Sequence, residues 1–295
     1  MTKRATFILI PILLSFFLLN LKAQEGIIQL YISPIDSIIK LNNIVVYKNI
    51  RYGAIPDSIE NSSCDRILDL YLPKESDVKK TLPVLIFIHG GGFSSGDKWS
   101  NNDICSKIAK NGFVVVSINY RLTIKSLKAK GIIIPNNTSV GLPTNGKFQP
   151  LFQLAVKNAS DDAIMALSWV KKNAIKYNFN LKSVSISGGS AGGMTALYTA
   201  YASGQKVLPI HSVIDFWGAL ENSKVIQKGA APVLIYHGDE DKLVHVDFAF
   251  ALKKRMDEIN STKSKLHILK GKGHAQYKLI ADEKIDEIVN FLNEK

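Results

Sequence analysis

The chain predicts an α/β fold: a mostly parallel central sheet with helices on both faces and no large cap. Three observations predict it. Continuous apolar runs such as Leu82-Pro83-Val84-Leu85-Ile86-Phe87-Ile88 recur, as expected of strands buried on both faces. Segments with apolar residues at helical spacing alternate with them, which implies parallel strands covered by helices. Between one such run, Val184-Ser185-Ile186-Ser187, and the helical stretch 194–200 sits Gly188-Gly189-Ser190-Ala191-Gly192. A serine in a tight strand-to-helix turn needs neighbours without Cβ atoms, so that strand and helix approach closely.

The elements follow in order. Residues 44–47 and 66–73 read as strands, and the polar–apolar alternation of the second suits an edge or one-sided antiparallel strand. Residues 82–88 and 113–120 are buried strands, separated by a helix over 103–111 that stops at Gly112. Ser160 is placed to cap a helix over 161–177, where Ile164, Leu167, Val170 and Ala174 share a face. After the serine turn, residues 212–217 and 232–236 are strands. A helix over 246–259, a strand over 266–269 and a helix over 282–292 complete the chain. The longest stretch without periodicity is 123–157, which is expected to form a wall of the substrate cleft.

Met1-Thr2-Lys3-Arg4 is basic, residues 7–19 are apolar apart from Pro11 and Ser15, and Ala23 offers a small residue for cleavage. That is the layout of a secretory signal over 1–23, with one domain over 24–295. The apolar run is shorter than the ~20 residues a spanning helix needs, so no stable membrane anchor is expected after cleavage and the mature protein is expected outside the cytoplasm. Net charge is +12, and loss of Lys3, Arg4 and Lys22 with the signal leaves +9. The lysines are scattered, so a solvated basic surface is expected and nucleic-acid binding is not. The two cysteines, Cys64 and Cys105, lack metal-ligand spacing, and their pairing is left open by the sequence.

Serine is a poor nucleophile until a base takes its proton. Of six histidines, His274 lies in the glycine-rich loop Lys270-Gly271-Lys272-Gly273-His274, between the last strand and the last helix. A carboxylate must orient that imidazole. Asp239 and Asp241 both follow the strand ending at Tyr236, and Asp241 is preferred. In a parallel sheet these loops meet at the carboxyl ends of the strands. A developing oxyanion needs donors, and His89-Gly90-Gly91-Gly92-Phe93 follows a buried strand. The N–H groups of Gly91, Gly92 and Ala191 are assigned to it. Trp99, near that loop, is a candidate to stack on substrate, whereas Trp169 and Trp217 read as core. No metal or cofactor is expected. A histidine base acts only when neutral, so activity is expected to rise through roughly pH 6 to 7.

With these motifs in the order serine, aspartate, histidine, the chain resembles the α/β-hydrolase superfamily. It is most similar there to HGGG-bearing carboxylesterases of the hormone-sensitive-lipase-like and acetyl/feruloyl-esterase groups. The similarity runs from about Arg66 to the C-terminus through the HGGG loop, Asn119-Tyr120-Arg121-Leu122, Asp162, the serine turn, His237-Gly238 with Asp241 and Val244, and Gly273-His274. It implies Asp241 over Asp239 as the acid and structural roles for Asp162, Tyr120 and Arg121. It implies a Ser-His-Asp esterase acting on small-acyl esters, including acetyl or feruloyl groups carried on polysaccharide. An amidase or peptidase of the same fold, or a non-catalytic carbohydrate-binding relative, are the alternatives. The helical cap and long lid of many relatives are expected to be missing.

Overall fold

The computed structural model describes residues 37–41, 43–54, 66–74, 80–135 and 138–294. All lie in one compact unit, Pro34–Lys295. The expected signal segment and Cys64 fall outside the described residues.

Among the described residues nine strands form one sheet. In chain order they are β1 (Ser37–Leu41), β2 (Ile44–Arg51), β3 (Ile67–Pro73), β4 (Leu82–Ile88), β5 (Val114–Ile118), β6 (Phe179–Gly189), β7 (Val213–Phe216), β8 (Val233–Gly238) and β9 (Lys265–Leu269). Their spatial order is β1-β2-β3-β5-β4-β6-β7-β8-β9. From β5 to β9 every pairing is parallel, and β1, β2 and β3 join by antiparallel pairings.

The apolar runs explain the layering. In β4, Val84, Ile86 and Ile88 face one core while Leu85 and Phe87 face the other, and all five are buried. Side chains alternate across a strand, so a strand covered on both faces is apolar at most positions. One face packs on α3 (Pro150–Tyr177), α4 (Ala191–Tyr201) and α5 (Asp247–Glu258). The other packs on α1 (Asn102–Lys110), α6 (Tyr277–Glu283) and α7 (Ile285–Asn293). The short α2 (Thr123–Ala129) lies beside α3. Among the described residues no helix is long and apolar enough to cross a membrane, and no helical cap covers the sheet.

Four expectations need correction. First, β3 is not an edge strand: it lies between β2 and β5, and Asp69 on it is fully buried. The polar residue that mimicked a solvent face instead accepts the Asn49 N–H at 2.9 Å and lies 3.7 Å from the Lys98 ammonium. Second, Ser160 caps nothing. It is buried inside α3 and accepts the Thr199 hydroxyl at 2.9 Å. The helix starts eleven residues earlier because the Gln149 side chain caps Leu151 N–H, Pro150 occupies the first turn, and Phe152, Ala155, Val156 and Ala159 extend the apolar stripe. Third, residues 123–157 are not irregular throughout: they hold α2, a 3₁₀ turn at Thr138–Val140 and the start of α3. Fourth, the single helix over 282–292 is two helices, α6 and α7, meeting at Lys284. Trp169 and Trp217 are buried, in keeping with the sequence.

Candidate active site

Ser190 sits where β6 turns into α4. Its backbone is strained, with φ 56° and ψ −122°, a region that L-residues avoid. Close packing holds it there. A Cβ on Gly188 would meet the Gly192 carbonyl carbon at 2.4 Å, and one on Gly192 would meet the Ile88 carbonyl oxygen at 2.0 Å. The strand, the turn and the end of β4 are therefore in backbone contact, and the serine side chain is pushed up into the cleft.

His274, in the loop between β9 and α6, places Nε2 2.8 Å from Ser190 Oγ, and its Nδ1 lies 2.6 Å from Asp241 Oδ2. With the proton on Nδ1, the imidazole donates to the carboxylate and accepts from the serine hydroxyl. Asp241, after β8, is the carboxylate that reaches the histidine; Asp239 instead accepts the Gly271 N–H at 2.7 Å. The other oxygen of Asp241 accepts the Leu243 and Val244 N–H groups at 2.8 and 2.9 Å. Burial alone would raise its carboxyl. Hydrogen bonds from His237, His274 and Val244 outweigh that and hold it well below the usual carboxylate range. It therefore faces His274 as an anion.

The glycine loop crosses in front. Gly91 and Gly92 have φ of 112° and 60°, and a Cβ on Gly91 would strike the Ser95 carbonyl at 2.1 Å. Gly91, Gly92 and Ala191 line the same cleft as Ser190 and His274, and no hydrogen bond among the described residues takes up their N–H groups. The loop is anchored from behind. Tyr120 donates its hydroxyl to the His89 carbonyl at 2.9 Å, and the His89 ring, stacked on Tyr120, bonds the Gly90 carbonyl at 2.6 Å. Burial pushes the His89 imidazole down to about 4, so it stays neutral and serves as scaffold. Arg121 and Arg66 both bond the fully buried Asp162 at 3.0 Å, which ties the end of β5 to α3.

The cleft has a volume of about 590 Å³. Ile124, Lys128, Ile134, Pro135, Thr138 and Phe152 line it, so the stretch 123–157 does form a wall. Trp99 does not join the lining. It is half-buried, stacked on Tyr71 at 6.3 Å with Lys48 Nζ 3.9 Å from its ring, because the β2–β3 side of the sheet offers it an apolar face. Sequence reasoning missed Tyr277 and Met194, both of which line the cleft. Tyr277 lies three residues beyond His274, and a Cβ on Gly189 would meet its hydroxyl at 2.2 Å. No motif marks either residue, since each is defined by what it packs against.

Asp215, fully buried on β7, supplies a test of the site's foundations. Burial pushes its carboxyl up to about 7 against the opposing pull of His237 and the Gly218 N–H. Its folded value exceeds the ordinary 3.8, so its contribution to stability is complete below that value and is lost as pH rises through about 7. His89 has the opposite sign: its contribution is complete above 6.5 and is lost as pH falls toward 4. Asp215→Asn is expected to remove the falling component, so that urea midpoints rise from about pH 4.5 to about pH 7 more than in the wild type. An unchanged slope would show that Asp215 is ionised in the fold.

A serine, a histidine and a buried carboxylate joined in series at the carboxyl edge of a mostly parallel sheet define the α/β-hydrolase architecture. Comparison with known proteins agrees. Residues 68–132 match the family BD-FAE, and residues 150–294 match the family Phospholipase/Carboxylesterase. Carboxylesterase 1C of Mus musculus is 31% identical over 166 residues, 56% of this chain and 26% of its own. Chlorogenic acid esterase of Aspergillus niger is 25% identical over 236 residues, 78% of this chain and 39% of its own. The chain spans well under half the length of the curated relatives it matches. Among solved structures, a truncated carbohydrate esterase from gut microbiota superposes with a TM-score of 0.58 at 19% identity, covering 84% of this chain and 94% of that one. Propionate-bound esterase 2 of Thermogutta terrifontis gives 0.60 at 18% identity, covering 84% and 96%. The fold is that of the α/β-hydrolases, and the relatives the chain is similar to include a carboxylesterase and a chlorogenic acid esterase.

Proposed function

We propose that the protein is an exported serine carboxylesterase that hydrolyses small-acyl esters, including acetyl or feruloyl groups carried on polysaccharide. The observation that carries the reading is the unbroken relay Ser190–His274–Asp241, with distances of 2.8 and 2.6 Å. His274 Nε2 takes the hydroxyl proton as Ser190 Oγ attacks the ester carbonyl. The N–H groups of Gly91, Gly92 and Ala191 receive the negative charge that develops on the carbonyl oxygen, each worth on the order of 3 kcal/mol in comparable sites. The tetrahedral intermediate collapses, the alcohol leaves with the proton from His274, and an acyl-serine remains. Water then repeats the cycle, releasing the carboxylic acid and restoring Ser190. The anionic Asp241 stabilises the imidazolium formed at both steps.

The substrate class rests on the open cleft and on the company the chain keeps, a carbohydrate esterase and a chlorogenic acid esterase among its relatives. The test is covalent. Paraoxon phosphorylates a Thermogutta terrifontis esterase of this fold. It is expected to add one diethylphosphoryl group to this protein, on the peptide containing Ser190, and none to Ser190→Ala. Labelling elsewhere, or none, would sink the reading. Hydrolysis of p-nitrophenyl acetate, acetylated xylan, methyl ferulate and chlorogenic acid would then rank the esters. Export is tested by N-terminal sequencing of protein recovered outside the cytoplasm, with Gln24 expected as the first residue.

A further inference from the structure

A second cavity, of about 380 Å³, adjoins the cleft of Ser190. Phe148, Leu154, Val156, Tyr198, Ala219 and Leu220 supply most of its walls, from the start of α3, from α4 and from the connection after β7. The charged groups at its edge are already engaged. Glu221 accepts the Phe148 N–H at 2.7 Å and the Gln153 side chain at 2.9 Å, and Lys157 pairs with Asp161 at 2.8 Å. What remains is an apolar surface, suited to an apolar occupant.

Among the described residues, Met194 alone lines both cavities. It follows Ser190 by four residues, just over one helical turn, so the two positions stack on one face of the turn into α4. It is 3% exposed. An unbranched thioether is a flexible filler, and beside it Phe152 of the cleft packs edge-on against Phe148 of the second cavity, ring centroids 5.2 Å apart.

We propose that Met194 sets the reach of this site: it closes the cleft off from the second cavity and so restricts substrates to esters with short arms. Shortening it joins the two cavities into one apolar channel that takes an unbranched alkyl arm. The inference rests on Ser190 being the nucleophile of an esterase.

Two substrate series test it on the full chain. p-Nitrophenyl acetate, butyrate, hexanoate and octanoate lengthen the acyl arm, and methyl, butyl and octyl acetate lengthen the alcohol arm. The readout is the ratio of kcat/KM for the longest ester to that for the shortest. In Met194→Ala the ratio is expected to exceed the wild-type ratio by about tenfold or more in one series, since each newly buried methylene is worth about fourfold. The series that responds identifies the arm. Adding Leu154→Trp, which fills the second cavity from its exposed side, should return the ratio toward wild type. If Met194→Ala does not fold, Met194→Val reads the same ratio with a smaller shift. Ratios within about twofold of wild type in both series, with acetate still hydrolysed, overturn the inference. Loss of all ester hydrolysis in the wild type itself overturns the esterase reading and this inference with it.

Discussion

Ser190→Ala is expected to lower kcat toward unactivated esters by about a millionfold, and His274→Ala by a similar factor. The double variant is expected to be no worse than either single one. The reason is geometric. The hydroxyl and imidazole are 2.8 Å apart and act as one nucleophile, so removing either half removes the whole. Asp241→Asn is expected to cost less, about ten-thousandfold, because an amide in the place of the anion stabilises the wrong imidazole tautomer while leaving the serine in position. Steady-state kinetics with methyl ferulate measure all four. Losses that multiply in the double variant would mean that Ser190 and His274 act independently, and the relay would not be the catalyst. Residual rate in any of them is what the proposed glycine-loop donors would leave, since none of these substitutions touches them.

Gly192→Ala is expected to unfold the protein or destabilise it by at least about 3 kcal/mol, at the upper end of overpacking penalties. Its Cβ would lie 2.0 Å from the Ile88 carbonyl oxygen and 2.7 Å from both the Ile88 carbonyl carbon and the His89 carbonyl oxygen. All three are backbone atoms at the carboxyl end of β4, with no rotamer to yield. Gly204→Ala is the control. It has φ +68° with no atom within 4 Å of the new Cβ, so it bears only the cost of the left-handed conformation, about 1 kcal/mol. Urea midpoints separate the two. Equal midpoints would mean that α4 is free to move away from β4, and the strain at Ser190 would then be held by something other than this contact.

Much of the site was legible because its chemistry is bound to short motifs at element boundaries. Gly188 to Gly192, His89 to Gly92 and Gly273-His274 each follow an apolar run, and strand ends at one edge of a parallel sheet must converge. The strands were legible for a related reason: a strand buried on both faces is mostly apolar, so β4, β5 and β8 announce themselves. What misled was polarity with an unseen partner. Asp69 made β3 look solvent-facing, and Ser160 looked like a cap. Each is buried against a group far away in sequence, Lys98 in the one case and Thr199 in the other. Trp99 lay near the glycine loop in sequence, yet its ring goes to Tyr71.

The order of residues alone determined the fold class and singled out Ser190, His274 and two possible acids as candidates, because those depend on hydrophobic period and local turn chemistry. Tertiary structure decided the rest. It chose Asp241 over Asp239 by bringing one carboxylate to 2.6 Å from the imidazole and turning the other to Gly271. It made that carboxylate an anion through hydrogen bonds from three separate residues. It built the cleft wall from 123–157 and set Met194 between two cavities. Spacing along the chain carries no information about such contacts. They depend on distances across the sheet, which exist only once both cores have packed.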